Sequence, residues 1–322
     1  MLALVFPGQG SQAVGMGLDA CEVSGAARDA FASADAALGL PLAKLCWEGP
    51  ADGLVPTEIQ QPAILAASIA WLRALEERTG PIDAAFVAGH SLGEYTALVA
   101  SGALPFEDAL RLVRARGLYM RDAVPPGVGA MAAIVGCDAD AVEAACVRAR
   151  RETGEIVEPA NFNGPAQTVI AGTAAAVRAA CDAAKEAGAR RALPLPVSAP
   201  FHCSLMKPAA DRLAADLARV AFADPCPPVV ANVTAEPNAQ AARIPDLLAR
   251  QVAAPVRFHE MIDRMVALGV TRVLEIGPGR VLTGLIARIA PALVRANLGR
   301  IDELERAVSF ATAPPAEPSA AG

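Results

Sequence analysis

Gly89-His90-Ser91-Leu92-Gly93 reads G-x-S-x-G. A short apolar run over residues 84–88 precedes it and a nearly uncharged helical pattern over residues 92–100 follows. A serine on a sharp strand-to-helix turn is a nucleophile elbow. Glycine suits both flanks because a side chain there would meet the crossing backbone. The serine hydroxyl is then presented at the carboxyl end of a sheet, beside the free N–H groups of a helix start. Those groups can hold an oxyanion.

A serine hydroxyl needs a base to become a good nucleophile, and histidine is the usual one. The chain has three histidines. His90 adjoins Ser91, so its side chain points away across the elbow. His259 lies in a helical pattern and reads as a surface or packing residue. His202 sits in a loop that opens a helix and is the best placed of the three. No Asp or Glu close in sequence offers itself as the acceptor that would orient His202. A backbone carbonyl can also fix the tautomer, and the sequence leaves this choice open.

Pro7-Gly8-Gln9-Gly10-Ser11-Gln12 is a glycine-rich turn whose backbone can approach a ligand closely. An N–H from the Gln9 loop, with that of Leu92, would make a two-donor oxyanion hole. The same pattern also fits a plain strand-to-helix turn. Residues 110–120 read as a helix carrying Arg111, Arg114 and Arg116. Arginines on such helices usually extend to solvent. One buried beside Ser91 would instead hold a carboxylate through two parallel bonds. The spacing does not choose among the three.

These residues need a scaffold, and the pattern supplies one of mixed α/β class. Residues 2–6 predict a strand, and helices alternating with short strands are expected up to about residue 122. Pro125-Pro126-Gly127 marks a break. Strand 130–135, helix 138–150, strands 156–162 and 167–171, a helix capped by Thr173 and ending near Gly188, and strand 191–195 then follow. This β-α-β-β-α-β order is the ferredoxin-like arrangement, and it predicts an inserted subdomain over residues 127–196. A larger subdomain comprises residues 1–126 and 197–300. In its second part we expect helices at 204–220, 244–252 and 256–268, and strands at 229–233, 272–276 and 293–298. Residues 311–322, rich in Pro and Ala, are expected to be a disordered tail.

Length and composition narrow the function classes. The 322 residues are 54% hydrophobic and 19% charged, enough for a large buried core. A net charge of −6 argues against nucleic acid as the partner. The opening residues lack the basic stretch of a secretory signal, and no apolar run is long enough to cross a membrane. Seven cysteines without a C-x-x-C pair read as reduced thiols in a cytoplasmic protein. No metal site and no permanently bound cofactor are expected, and a monomer is the default.

Taken together, Phe6-Pro7-Gly8-Gln9-Gly10-Ser11-Gln12, Gly89-His90-Ser91-Leu92-Gly93-Glu94-Tyr95, Arg116-Gly117, Asn161-Phe162-Asn163, Pro200-Phe201-His202 and Glu275-Ile276-Gly277-Pro278-Gly279 resemble the malonyl-CoA:acyl carrier protein transacylases. The likeness runs from about residue 1 to residue 300 and is strongest to the free-standing bacterial type. Polyketide synthase acyltransferases are similar. The resemblance implies an α/β-hydrolase-like core carrying the ferredoxin-like subdomain. It also implies malonyl transfer from malonyl-CoA to the phosphopantetheine thiol of acyl carrier protein, in fatty acid biosynthesis. By the same resemblance Ser91 is the acyl-accepting nucleophile and His202 the base, oriented by the backbone carbonyl of Gln251. Gln9 and Leu92 supply oxyanion N–H groups, and Arg116 binds the malonyl carboxylate. Phe201 selects the acyl group, and Asn161 belongs to the substrate pocket. A trans-acting acyltransferase of a polyketide pathway and a serine thioesterase or esterase are the competing readings. The proline-rich tail is not required by the family.

Overall fold

The computed structural model describes residues 1–197 and 199–314. Ten strands occur among them: β1 Leu2–Phe6, β2 Phe86–Gly89, β3 Gly129–Val135, β4 Val157–Gly164, β5 Gln167–Thr173, β6 Arg191–Pro194, β7 Val229–Val230, β8 Pro237–Asn238, β9 Arg272–Ile276 and β10 Val294–Leu298. They form two sheets, one of six strands in the order β10-β9-β1-β2-β7-β8 and one of four in the order β4-β5-β3-β6.

In the larger sheet every pair is parallel except β7–β8 at one edge. A parallel sheet is covered by helices on both faces, so its central strands are apolar throughout. β1 is buried at all its positions. Leu2, Leu4 and Phe6 pack into a core that includes the alanine-rich helix Thr57–Thr79. Ala3 and Val5 point the other way, against helices Phe258–Ala267 and Val281–Ile289. This is the two-residue period of a strand used on both sides. Each large side chain so buried contributes about 2 kcal/mol.

The second sheet is antiparallel throughout. Helix Ala139–Thr153 lies between β3 and β4 in the chain, and helix Ala174–Glu186 between β5 and β6. Asp138 and Thr173 cap these helices by accepting from Ala141 N and Ala176 N. Ala132 and Ile134 of β3 face the two helices. Met131 and Ala133 face the other way and join the core of the larger unit. The small sheet thereby forms one wall of a cleft whose other wall is the carboxyl end of the parallel sheet.

Several elements differ from those expected. Between residues 7 and 122, β2 is the only strand among the described residues, and six α-helices and one 3₁₀ turn, Ala51–Leu54, accompany it. Alanine-rich stretches with few β-branched residues favour helix there. β7 stops at Val230 instead of running to residue 233, because the chain turns at Ala231 and returns through β8. The helix expected over 204–220 opens as a 3₁₀ turn, Ser204–Met206, and its α-helical part is Lys207–Leu217. A helix, Leu304–Thr312, follows the last strand. It takes in residues 311 and 312 of the expected tail, since Leu304 and Ala307 have core to pack against. Residues 315–322 of that tail lie outside the described residues. All seven cysteines are free thiols. Among the described residues no helix is long and apolar enough to cross a membrane, and no cluster of ligating side chains could hold a metal ion.

Candidate active site

Ser91 lies between the end of β2 and helix Gly93–Ala100. Its φ of +52° is the left-handed conformation that a strand-to-helix elbow imposes. Neither flanking glycine has room for a side chain. A Cβ on Gly89 would fall 2.0 Å from the Gly93 carbonyl carbon, and one on Gly93 would fall 2.1 Å from Phe6 O. The Ser91 side chain is left 6% exposed at the floor of the cleft.

His202, 111 residues further along the chain, places Nε2 2.8 Å from Ser91 Oγ. Its Nδ1 lies 2.8 Å from the backbone carbonyl of Gln251, in helix Ile244–Ala253. A carbonyl can only accept, so Nδ1 carries the proton and Nε2 is left as the acceptor for the serine hydroxyl. Burial, and next the Arg116 guanidinium, push the His202 pKa down to about 3, so the ring is a neutral base at neutral pH. His90 turns away from Ser91. Its Nε2 lies 2.8 Å from Asn163 Oδ1, and its ring packs on Phe258. His259 faces Asp263 on its own helix, at 3.3 Å.

Of Arg111, Arg114 and Arg116 on helix Phe106–Asp122, Arg111 pairs with Asp108 on the surface and Arg114 donates to Leu38 O. Only Arg116 enters the site, and it is fully buried. The helix comes close enough because residue 117 is glycine: a Cβ there would sit 2.6 Å from Glu58 Cα on the neighbouring helix. Arg116 Nη2 donates to Ser91 Oγ and to Gln251 Oε1, both at 2.9 Å, and Nη1 donates to Gln61 Oε1 at 2.7 Å. Its Nε has no partner among the described residues. A buried guanidinium with an unused donor can still take an anion.

Gln9 donates through its side chain to Thr57 Oγ1 at 2.8 Å and Gln60 Oε1 at 2.6 Å, which fixes the loop after β1. Among the described residues, the backbone amides of Gln9 and Leu92 donate to no protein acceptor. Gln9, Ser91, Met131, Asn161, Phe201 and His202 all border one cavity of about 510 Å³ between the two sheets. Leu92 is wholly buried, with its amide at the start of the helix.

Three buried residues behind the nucleophile escaped sequence reasoning. Asn232 accepts from Ser91 N and donates to Gly89 O, each at 2.7 Å. Glu94 Oε2 accepts from Gln251 Nε2 at 2.8 Å and from Asn232 N at 3.1 Å. Burial pushes its pKa up to about 7. Gln61 steadies Arg116. A carboxylate within the apolar pattern of residues 92–100 is the signal that could have found Glu94. No sequence signal distinguishes Asn232.

Residues 3–292 match the acyl transferase domain family. The malonyl CoA-acyl carrier protein transacylase of Escherichia coli K12 is 48% identical over 308 residues, covering 96% of this chain and 99% of that one. A crystal structure of the acyl-carrier-protein S-malonyltransferase of Burkholderia pseudomallei superposes with a TM-score of 0.92. It is 50% identical, over 96% of this chain and 99% of the other. A malonyl-transacylase solved in complex with a type II polyketide synthase acyl-carrier protein gives the same TM-score at 47% identity, over 96% and 99% of the two chains.

Proposed function

The chain belongs to the acyl transferase family, and on that premise we propose that it transfers malonyl from malonyl-CoA to the phosphopantetheine thiol of acyl carrier protein, in fatty acid biosynthesis, through an ester on Ser91. The observation that carries this reading is the pair of contacts at Ser91 Oγ: neutral His202 Nε2 on one side and the buried Arg116 cation on the other.

The steps follow from those contacts. Ser91 Oγ attacks the thioester carbonyl of malonyl-CoA as His202 Nε2 takes the hydroxyl proton. The tetrahedral oxyanion is held by the amides of Leu92 and Gln9, which have no protein acceptor to give up among the described residues. The carbon–sulfur bond breaks, and the CoA thiolate leaves with the proton from His202. The carrier thiol then attacks the malonyl-serine ester by the same route in reverse, so the kinetics are ping-pong. Arg116 holds the free malonyl carboxylate. An acetyl donor leaves that buried cation unpaired, at a cost of about 3–5 kcal/mol. Phe201 and Met131 line the cavity beside Ser91 with apolar side chains, to which we assign the shielding of the ester from water. The orienting acceptor of His202 is a backbone carbonyl and not a carboxylate, which favours acyl transfer over the thioesterase or esterase reading.

The reading extends to architecture. The 4-1-3-2 strand order of the antiparallel sheet supports a ferredoxin-like subdomain over residues 127–196. The elbow on a parallel sheet supports an α/β-hydrolase-like core built from residues 1–126 and 197–300. A cytoplasmic location and the absence of a resident cofactor belong to the same proposal.

The test is direct. Incubation with malonyl-CoA should add one malonyl group to Ser91 by intact mass, and Ser91→Ala should abolish it. Addition of carrier protein should then yield malonyl-carrier in excess of free malonate. An adduct that persists in Ser91→Ala, or hydrolysis that dominates with carrier present, overturns the proposal.

A further inference from the structure

β2 and β7 pair in parallel, with Val87 opposite Val229 and Ala88 opposite Val230. Continued by two residues, that register sets His90 opposite Asn232. β7 has already ended there, and the backbone turns away at Ala231 toward β8. In a parallel ladder the residue opposite position j donates to the carbonyl of j−1 and accepts from the amide of j+1. The Asn232 side chain does both: Nδ2 donates to Gly89 O and Oδ1 accepts from Ser91 N, each at 2.7 Å. A carboxamide thus stands in for the missing peptide of the neighbouring strand. It holds the last two peptide units before the nucleophile.

We propose that Asn232 is a positioning residue for Ser91, extending the sheet by one side chain so that the elbow can break sharply and still be held. The inference rests on the acyl-transfer reading for its substrate, but not for its geometry. Without Asn232, the Ser91 amide and the Gly89 carbonyl would lose their partners in a buried site. Ser91 is in a left-handed conformation, which persists only where its surroundings enforce it. Relaxation of this turn would move Oγ off His202 and swing the following Leu92 amide away from the oxyanion position. Asn232 is itself fixed: it is fully buried, and its own amide donates to Glu94 Oε2. Glu94 also accepts from Gln251, the residue whose carbonyl orients His202. Nucleophile and base are therefore referred to one shared acceptor.

The experiment uses two probes on the full chain: an alkyl fluorophosphonate, which reports serine activation whatever the natural substrate, and malonyl-CoA. Asn232→Ala should slow labelling of Ser91 by the fluorophosphonate about 100-fold, the scale of an ångström-sized misplacement. It should lower kcat for malonyl transfer to a similar degree while KM for malonyl-CoA stays within about threefold. Asn232→Asp gives a signature that a merely structural role lacks. Its ionised carboxylate repels Gly89 O, whereas its protonated form restores both bonds, so its labelling rate relative to wild type should rise from about pH 8 to about pH 5. The titratable groups facing this position are Glu94 directly and Arg116 and His202 beyond Gln251, and the ratio to wild type corrects for them. Should the alanine variant fail to fold, the pH ratio of the aspartate variant decides. Labelling within about threefold of wild type, a loss confined to KM, or a ratio flat in pH overturns the inference. A wild type that reacts with the fluorophosphonate but not with malonyl-CoA overturns the acyl-transfer reading and leaves the Asn232 comparison intact.

Discussion

Arg116 Nη2 lies 2.9 Å from Ser91 Oγ, so the buried cation touches the nucleophile itself. The hydroxyl donates to His202 and accepts from Arg116, which fixes its direction before any substrate arrives. On the acyl-transfer reading proposed above, Oγ becomes an ester oxygen and a poor acceptor, which would free the guanidinium N–H for a carboxylate a few bonds further along the acyl group. Arg116 Nε is buried and has no hydrogen-bond partner among the described residues.

Arg116→Ala should therefore discriminate between donors. All acylation slows, because the contact to Oγ is lost, but the ratio of malonyl to acetyl acylation should fall by about 100-fold or more, the scale of an unpaired buried charge. Single-turnover rates of Ser91 acylation from the two CoA esters measure it. Equal losses for both would remove Arg116 from carboxylate recognition.

His202 predicts an unusual acid limb. With its pKa pushed down to about 3, the ring stays a free base through the ordinary histidine range, so acylation should hold level there and fall only at much lower pH. Arg116 is one cause of that depression, and Arg116→Gln should move the limb upward. Stability follows the same sign. A folded pKa below the unfolded one gives stabilisation that is complete above the unfolded value of about 6.5 and is lost as pH falls toward about 3. Across that window the Tm of the wild type should drop more steeply than that of His202→Asn. Parallel Tm curves would contradict a neutral buried imidazole.

The parts of the site visible in the sequence are those whose constraints are local. Gly89, Ser91 and Gly93 are bound together by a turn five residues long, and the strand and helix flanking it follow from their hydrophobic pattern. His202 was reachable by elimination among three histidines. Arg116 was not separable from Arg111 and Arg114, because the choice is made by Gly117 against the backbone of Glu58, an approach between helices with no counterpart in spacing. Asn232 is harder still. Its role depends on where a two-residue strand stops, and that is decided by the return through β8. The last helix was missed because Leu304 and Ala307 read as core only once the sheet they cover is known.

Glu94 supplies a stability test of opposite sign to that of His202. Burial raises its folded pKa from 4.5 to about 7. The protonated form thus favours the fold, and this contribution is complete below about 4.5 and lost as pH rises through about 7. Glu94→Gln keeps an acceptor for Gln251 Nε2 and Asn232 N while removing the charge. The Tm of the variant minus that of wild type should therefore be more positive at about pH 8 than at about pH 5. A difference independent of pH would mean that Glu94 is ionised at both.

Phe201 precedes His202 and is 7% exposed, with its ring on the wall of the cavity that holds Ser91. An α-methyl group on the malonyl moiety needs space beside the acylated serine, and a phenyl ring there leaves little. Discrimination of one methyl by shape alone is worth about 10- to 200-fold. Phe201→Ser should cut the preference for malonyl-CoA over methylmalonyl-CoA by about 10-fold or more. His202 should stay in place, because its Nδ1 bond to Gln251 O does not involve residue 201. Competition between the two CoA esters for Ser91, read by intact mass, gives the ratio. An unchanged ratio with normal malonyl acylation would assign selectivity to another wall of the cavity, where Met131 is the next large side chain to substitute.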